Sequence, residues 1–373
     1  MKTSLSRHLF AVLFFNSIFI ISAFSLHAQA SSFIIKGKVV DKNTKAPLQG
    51  ASVFAQNTTI GEATDESGNF RIRLPEGGYS LAVTFTGYET ESIRVNYATS
   101  QEGDLVFELN PQVKALEEVS VAISTEVKDG WQKYGQFFTD NFIGQTKFAK
   151  QSVIKNPEVL HFYFSKKRNR LKVLAKEPLI VDNFALGYTI KFAIDSFTNE
   201  YNTKTILFTG YPLFEEMDGT PEQKGTWANN RSVAYKGSML HFMRSLYAKE
   251  LQANGFELQF IIKNNDEEIP VPLPNLYGAL NYAKDDSTHT VEFHPNQQEV
   301  ALIYNKEKPE KSYSDLDSST RKDFQLSTLI FTKGESIVIE QNGYYYDQED
   351  IITNGYLGFK KIGDMLPYDY LPE

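Results

Sequence analysis

The chain of 373 residues contains no cysteine. That excludes disulfides, thiol nucleophiles and thiolate metal sites. It also leaves no cysteine to carry a lipid. Long basic runs are missing too: 46 Asp and Glu outnumber 38 Lys and Arg, for a formal net charge of −8. An acidic balance of this kind argues against a nucleic-acid partner. Beyond the first 30 residues, no apolar run is long enough to span a bilayer as a helix. There are no tandem repeats, and no Gly-x-Ser-x-Gly, His-Glu-x-x-His or phosphate-cradling glycine loop. What the chain has in quantity is aromatic residues, 28 Phe and 20 Tyr. They make a buried core easy to build, over a length that suits two ordinary domains.

The first 30 residues read as a signal peptide. Lys2 and Arg7 form a charged start, residues 9–26 an apolar run, and Ala28-Gln29-Ala30 a small-x-small cleavage site. Cleavage after Ala30 leaves Ser31 first and sends the protein out of the cytoplasm, to the periplasm or an outer-membrane association. The alternative is an uncleaved anchor, because the apolar run nears spanning length.

Residues 31–112 alternate in the manner of short strands. Residues 36–41 open the set. Ala51, Val53 and Ala55 share one face of the next strand. Phe70, Ile72 and Leu74 alternate with Arg71 and Arg73, giving an apolar and a basic face. Leu81, Val83 and Phe85 alternate with Ala82 and Thr84, and Phe107 and Leu109 close the unit. Between the strands lie turn formers. In Asp65-Glu66-Ser67-Gly68-Asn69, Asp65 is placed to accept backbone N–H groups, and Gly68 to take a positive φ. The pattern predicts an antiparallel β-sandwich.

Four phrases in this stretch carry a family resemblance: Gly37-Lys38-Val39-Val40-Asp41, Pro47-Leu48-Gln49-Gly50-Ala51-Ser52-Val53, Thr64-Asp65-Glu66-Ser67-Gly68-Asn69-Phe70 and Thr86-Gly87-Tyr88. Together they resemble the carboxypeptidase-like regulatory domain. The resemblance implies a seven-stranded, transthyretin-like sandwich, also found at the front of SusC-type TonB-dependent transporters of Bacteroidetes. It implies no chemistry in the module itself. Leu116-Glu117-Glu118-Val119 resembles the segment that joins such a domain to a transporter plug, but no plug follows.

Residues 113–127 read as a linker and 128–373 as a larger α+β domain of unknown function, so the fold class is mainly β with an antiparallel-sheet second domain and a few helices. Trp131, Tyr134, Phe138 and Phe142 recur at helical spacing, a stripe read as core. Residues 159–164 and 171–175 read as a hairpin around the basic turn Lys166-Lys167-Arg168-Asn169-Arg170, and further strands are read at 179–183, 186–192 and 205–208. Asp218-Gly219-Thr220-Pro221 opens a polar connector that leads to a helix over residues 238–254, with Leu240, Met243, Tyr247 and Leu251 as its buried stripe. Residues 264–274, with three prolines, read as a loop. Strands are expected at 256–262, 288–293, 300–304, 326–331 and 336–339. Asn342-Gly343 is a hairpin signal. Phrases at residues 227–231, 235–238, 241–242 and 365–370 resemble a second domain found behind regulatory-like domains in Bacteroidetes envelope proteins, for which no activity is implied.

His289-Thr290-Val291-Glu292 matches the His-x-x-Glu of zinc carboxypeptidases. No third histidine follows His294, and on a strand His289 and Glu292 face opposite ways. Carboxypeptidase activity is therefore not expected, nor are a metal, a cofactor or catalytic residues. Candidate binding residues are Arg231, Tyr235, Ser238 and His241, which can surround an anionic or sugar group near a helix N-terminus. The competing reading has Arg231 and His241 bonding to backbone and gluing helix to sheet. The functional expectation is an exported, non-enzymatic envelope binding or scaffold protein that engages an envelope protein or glycan. The alternatives are a hydrolase with its site in the second domain and an accessory protein of TonB-dependent uptake.

Overall fold

The computed structural model describes residues 32–112, 125–264, 267–316, 318–333, 336–346 and 348–372. The stretch read as a signal peptide, residues 1–30, and residues 113–124 of the stretch read as a linker, including Leu116-Glu117-Glu118-Val119, lie outside the described residues.

Seven strands make the first part: β1 (Ser32–Asp41), β2 (Ser52–Ala55), β3 (Gly61–Ala63), β4 (Asn69–Pro75), β5 (Tyr79–Thr84), β6 (Glu91–Val95) and β7 (Leu105–Leu109). A three-stranded sheet, β4-β1-β7, packs on a four-stranded sheet, β3-β2-β5-β6. Alternation explains the core: Phe70, Ile72 and Leu74 of β4 are buried while Arg71 and Arg73 are exposed. The expected turn is present. Asp65 Oδ1 accepts the N–H groups of Ser67 at 2.9 Å and Asn69 at 2.8 Å, and Gly68 has φ +77. One pair departs from the antiparallel expectation. β1 and β7 run parallel, with Val39 opposite Phe107. The five strands between them give the chain ample length for the crossover that parallel pairing needs.

The second part is built on a seven-stranded sheet. Its strands are β8 (Thr125–Glu126), β9 (Ser152–Ile154), β10 (Leu160–Ser165), β11 (Arg170–Ala175), β12 (Leu179–Asn183), β13 (Tyr188–Glu200) and β14 (Thr205–Glu216). The β10–β11 hairpin forms around the basic turn, Phe162 opposite Val173. β13 is longer than its local pattern suggests. Its first half pairs with β12 and its last residues with β11, while β14 runs along its other edge. Helix α1 (Gly130–Phe142) lies on this sheet. Phe138 packs at a tilt against Phe197 with centroids 4.9 Å apart, and Phe142 lies 5.0 Å from both Phe192 and Phe208. Phe138 and Phe142 are core, as the stripe predicts, but Trp131 and Tyr134 are only partly buried.

The connector read after Asp218 is instead a helix, α2 (Pro221–Tyr235). Its signal lies in the sequence. Thr220 Oγ1 accepts from Gln223 N–H and Gln223 Oε1 accepts from Thr220 N–H, a capping box with Pro221 in the first turn. Helix α3 (Met239–Tyr247) follows, capped by Ser238. It stops short of residue 254, because Lys249 turns left-handed at φ +63. Beyond it, β15 (Phe256–Asn264), β16 (Glu267–Pro272), β17 (Ala283–Asp285), β18 (Thr290–Phe293), β19 (Glu299–Tyr304), β20 (Gln325–Phe331), β21 (Ile337–Glu340) and β22 (Ile351–Asn354) form a five-stranded sheet, β16-β15-β19-β20-β22, and a three-stranded sheet, β17-β18-β21. Both pack with α3 around Phe242, Met243 and Leu246. The proline-rich stretch read as a loop supplies β16. It sits at a sheet edge, where the missing N–H groups of Pro270 and Pro272 are tolerated.

The sandwich touches the second part through β2 and β5. Both strands are buried on two faces, unlike the one-sided reading. Phe54 and Ala82 pack outward against Leu213 and the half-buried Tyr211 of β14. Backbone bonds follow the same seam: Asn57 N–H to Pro212 O at 2.7 Å, Phe214 N–H to Thr58 O at 2.9 Å, and Tyr368 N–H to Asn57 O at 2.7 Å. Among the described residues, no helix is long and apolar enough to cross a membrane.

Candidate binding cleft at the sandwich–sheet junction

Helix α2 positions the site by gripping one turn. Trp227 Nε1 donates to Phe184 O at 2.9 Å, Asn230 Nδ2 to Ala185 O at 2.8 Å, and Arg231 Nε to Leu186 O at 2.7 Å. Arg231 Nη2 reaches Gly187 O at 3.2 Å. Four successive carbonyls of the turn between β12 and β13 are thereby satisfied by side chains spaced to share one helix face. Arg231 then points its guanidinium over the Tyr188 ring, 3.8 Å from the centroid, and donates Nη1 to Glu216 at 2.8 Å. Burial pushes the Tyr188 phenol far above its ordinary range.

Around this stack lies a cleft of about 510 Å³. Glu216 and Arg231 stand on one wall, Asp369 and Tyr370 on another, and Thr59 of the sandwich closes it. The Glu216 side chain is 63% exposed at the mouth, whereas Arg231 is 14% exposed. Arg244 of α3 fixes the wall that carries Tyr370. Its Nη1 and Nη2 donate to Tyr370 O and Tyr368 O, both at 2.9 Å, and its Nε to Asn342 O at 2.9 Å. Asp369 accepts the Thr59 N–H at 3.0 Å and the Thr59 hydroxyl.

The other three candidate residues do not join Arg231 on the cleft surface. Tyr235 lies between Tyr370, 5.8 Å away, and His241, 4.7 Å away. Ser238 Oγ accepts the His241 N–H at 3.1 Å as the cap of α3. His241 is buried among Tyr235, Phe256 and Tyr304, and its Nδ1 accepts from Gly237 N–H at 3.2 Å. Burial first, then the positive charges of Lys306, Arg244 and Lys360, lower its pKa to about 4. The imidazole is neutral near pH 7.

Comparison with known proteins identifies the sandwich. Residues 35–121 match the family model of the CarboxypepD_reg-like domain. They are a CarboxypepD_reg-like domain. The chain is also 37% identical, over 71 residues, to the TonB-dependent receptor SusC of Bacteroides thetaiotaomicron. That match covers 19% of this chain and 7% of the receptor, so the chain spans a small part of its curated relative. Among solved structures, 3-chlorocatechol 1,2-dioxygenase from Rhodococcus opacus overlaps at 16% identity and a TM-score of 0.18, covering 22% of this chain and 60% of that one. A DUF3823 family protein from Parabacteroides merdae overlaps at 12% identity and a TM-score of 0.18, over 52% of this chain and 85% of that one.

The CarboxypepD_reg-like domain contributes Thr59 to the cleft, from the turn between β2 and β3. Sequence reasoning did not assign a role to Thr59, Tyr188, Glu216, Asp369 or Tyr370. The signal available for two of them was the Tyr-rich phrase Pro367-Tyr368-Asp369-Tyr370. Away from the cleft, His289 precedes β18 at φ +54 and its carbonyl accepts from the Tyr247 hydroxyl at 3.0 Å. Glu292 is an exposed strand residue. No group of three or more His, Cys, Asp or Glu side chains is placed to hold a metal among the described residues.

Proposed function

We propose that the chain is an exported, non-enzymatic binding or scaffold protein of the cell envelope, which engages an envelope protein or a glycan at the junction cleft. The observation that carries this reading is a cleft walled by both the CarboxypepD_reg-like domain and the second part, around the Arg231–Tyr188 stack. Its charged groups are committed to fixed partners: Arg231 to two carbonyls and Glu216, and Asp369 to Thr59. Such a set holds a shape and offers acceptors at its rim, which suits recognition better than proton or acyl transfer. No metal or cofactor enters the proposal.

The test is a photo-crosslinking residue at Asn229, an exposed position on the cleft wall, introduced in cells. A specific envelope protein or glycan adduct is expected there, and not from a probe at Lys249, which lies outside the cleft. Adducts of equal pattern from both positions, or none at Asn229, refute the reading. Export is checked in the same cells: the intact mass of the envelope fraction should begin at Ser31, and a mass that retains residues 1–30 refutes cleavage.

A second reading is favoured by the similarity to SusC, a TonB-dependent receptor. In it, the chain is an accessory of TonB-dependent uptake. An Asn229 adduct with a TonB-dependent receptor supports this reading, and adducts confined to other envelope components exclude it.

A further inference from the structure

A second cleft, of about 370 Å³, lies at the β8 edge of the seven-stranded sheet, where β8, the start of α1 and the turn before β10 meet. It shares no residue with the junction cleft. Trp131 forms its aromatic wall. The indole is laid along its own helix onto Gly135, where an added Cβ would stand 2.7 Å from Trp131 Cδ2. Only glycine permits so close a seat. With the ring seated on Gly135 and Phe162 tilted against it at 6.4 Å, the partly buried indole lines the cleft. This is a different use of the aromatic stripe from that of Phe138 and Phe142, which are fully enclosed.

Around the indole stand hydrogen-bonding groups of mixed character. Glu126 holds His161 Nδ1 at 2.8 Å, which fixes the imidazole and leaves its other nitrogen free of that bond. Glu158, Gln132 and Lys128 are exposed on the rim. Carboxylates accept, an ammonium donates, and an amide does both. Charges of both signs meet here, so the cleft does not select for a strongly charged ligand. A flat apolar face beside a ring of donors and acceptors is complementary to a molecule with one C–H face and a belt of hydroxyl groups.

We propose that this cleft binds a neutral saccharide, with a pyranose ring stacked on Trp131 and its hydroxyls held by Glu126–His161, Glu158 and Gln132. The site is separate from the junction cleft, so either proposal can fail without the other.

The chain's two tryptophans make the test direct. In Trp227→Phe, Trp131 is the single indole reporter, since Trp227 is buried in the turn-gripping face of α2. The probes are cellohexaose, maltohexaose, xylohexaose and mannohexaose, titrated against the full chain. At least one is expected to shift Trp131 emission saturably, and calorimetry on the unmodified chain should give the same affinity. Trp131→Ala should weaken that binding about tenfold or more. If Trp131→Ala does not fold, the exposed-site variants Glu158→Ala and Gln132→Ala take its place and should weaken binding several-fold with unchanged melting temperature. The proposal is overturned if no probe binds the unmodified chain by calorimetry, or if binding is unchanged in the folded cleft variants. Asn229 crosslinking should not respond to Trp131→Ala, Glu158→Ala or Gln132→Ala.

Discussion

Asp369 accepts two hydrogen bonds from Thr59, one from its backbone N–H at 3.0 Å and one from its hydroxyl. The two residues are 310 positions apart in the chain, and the contact ties the segment that walls the cleft to a turn of the sandwich. Asp369→Ala removes both bonds at a partly exposed site. It should lower stability by about 1 kcal/mol and loosen the cleft wall. Urea unfolding gives the first quantity. Faster hydrogen exchange at Thr59 and Tyr368 gives the second. Unchanged exchange in Asp369→Ala contradicts a role for this contact in shaping the cleft.

Gly68 stands at φ +77, and an added Cβ would come 2.6 Å from Val39 O. Gly68→Val therefore meets both backbone strain and a steric clash. Its expected cost to the sandwich is about 1–3 kcal/mol. We propose that a fragment beginning near Lys114 folds without the sandwich. Its stability should be reduced, because Leu213 and Tyr211 lose the cover of Phe54 and Ala82. Thermal melts of Gly68→Val, the fragment and the full chain measure this. An unfolded fragment would show instead that sandwich and sheet share one cooperative core.

Arg231 satisfies the carbonyls of Leu186 and Gly187 with a planar fork. A lysine amine at the same place cannot reach both and also lie flat on Tyr188. Arg231→Lys should therefore destabilise by roughly 2 kcal/mol, nearly as much as Arg231→Met, and should abolish Asn229 crosslinking. Denaturation of the two variants side by side is the check. A lysine variant as stable as the parent would mean that charge alone matters at this position.

Two buried groups give opposing pH dependences. The pKa of His241 falls from an ordinary 6.5 to about 4. The unfolded chain then binds more protons between those values, so stability from this site is complete above pH 6.5 and is lost as pH falls toward 4. The pKa of Asp364 rises from 3.8 to about 6, chiefly through burial and against the opposing effects of the Lys360 charge and of the hydrogen bond that the Thr146 hydroxyl donates to Asp364 at 2.9 Å. Here the folded chain binds more protons, so stability is greatest below pH 3.8 and declines as pH rises toward 6. The windows overlap, and the two effects partly cancel between pH 4 and 6. Asp364→Asn should unmask a steeper gain of stability with rising pH. His241→Gln should leave a loss with rising pH. Unfolding free energies across pH 4–7 test the signs; a parent and Asp364→Asn with the same slope would remove Asp364 from the account.

Much of the sandwich was legible in the sequence because its determinants are local. Alternation in Phe70, Ile72 and Leu74 assigns one strand face, and Asp65 with Gly68 dictates the reversal. The capping box at Thr220 and Gln223 was equally local. It went unread because the residues beyond it, polar on most sides, lack an apolar stripe; α2 is held by polar grips on a turn, which periodicity does not register. Likewise, the prolines of β16 signal a loop until a neighbouring strand is known to pair with its permitted side.

By itself, then, the sequence determined the sandwich, its Asp65 turn, the aromatic core of α1 and the strand hairpins, all of them consequences of residues within a few positions of one another. The second buried face of Phe54 and Ala82, the seat of Arg231 on Tyr188 rather than beside His241, and the meeting of Thr59 with Asp369 come instead from the packing of distant elements. Those pairings join elements far apart in the chain, and hydrophobic periodicity constrains which face of an element is buried without naming the partner that buries it.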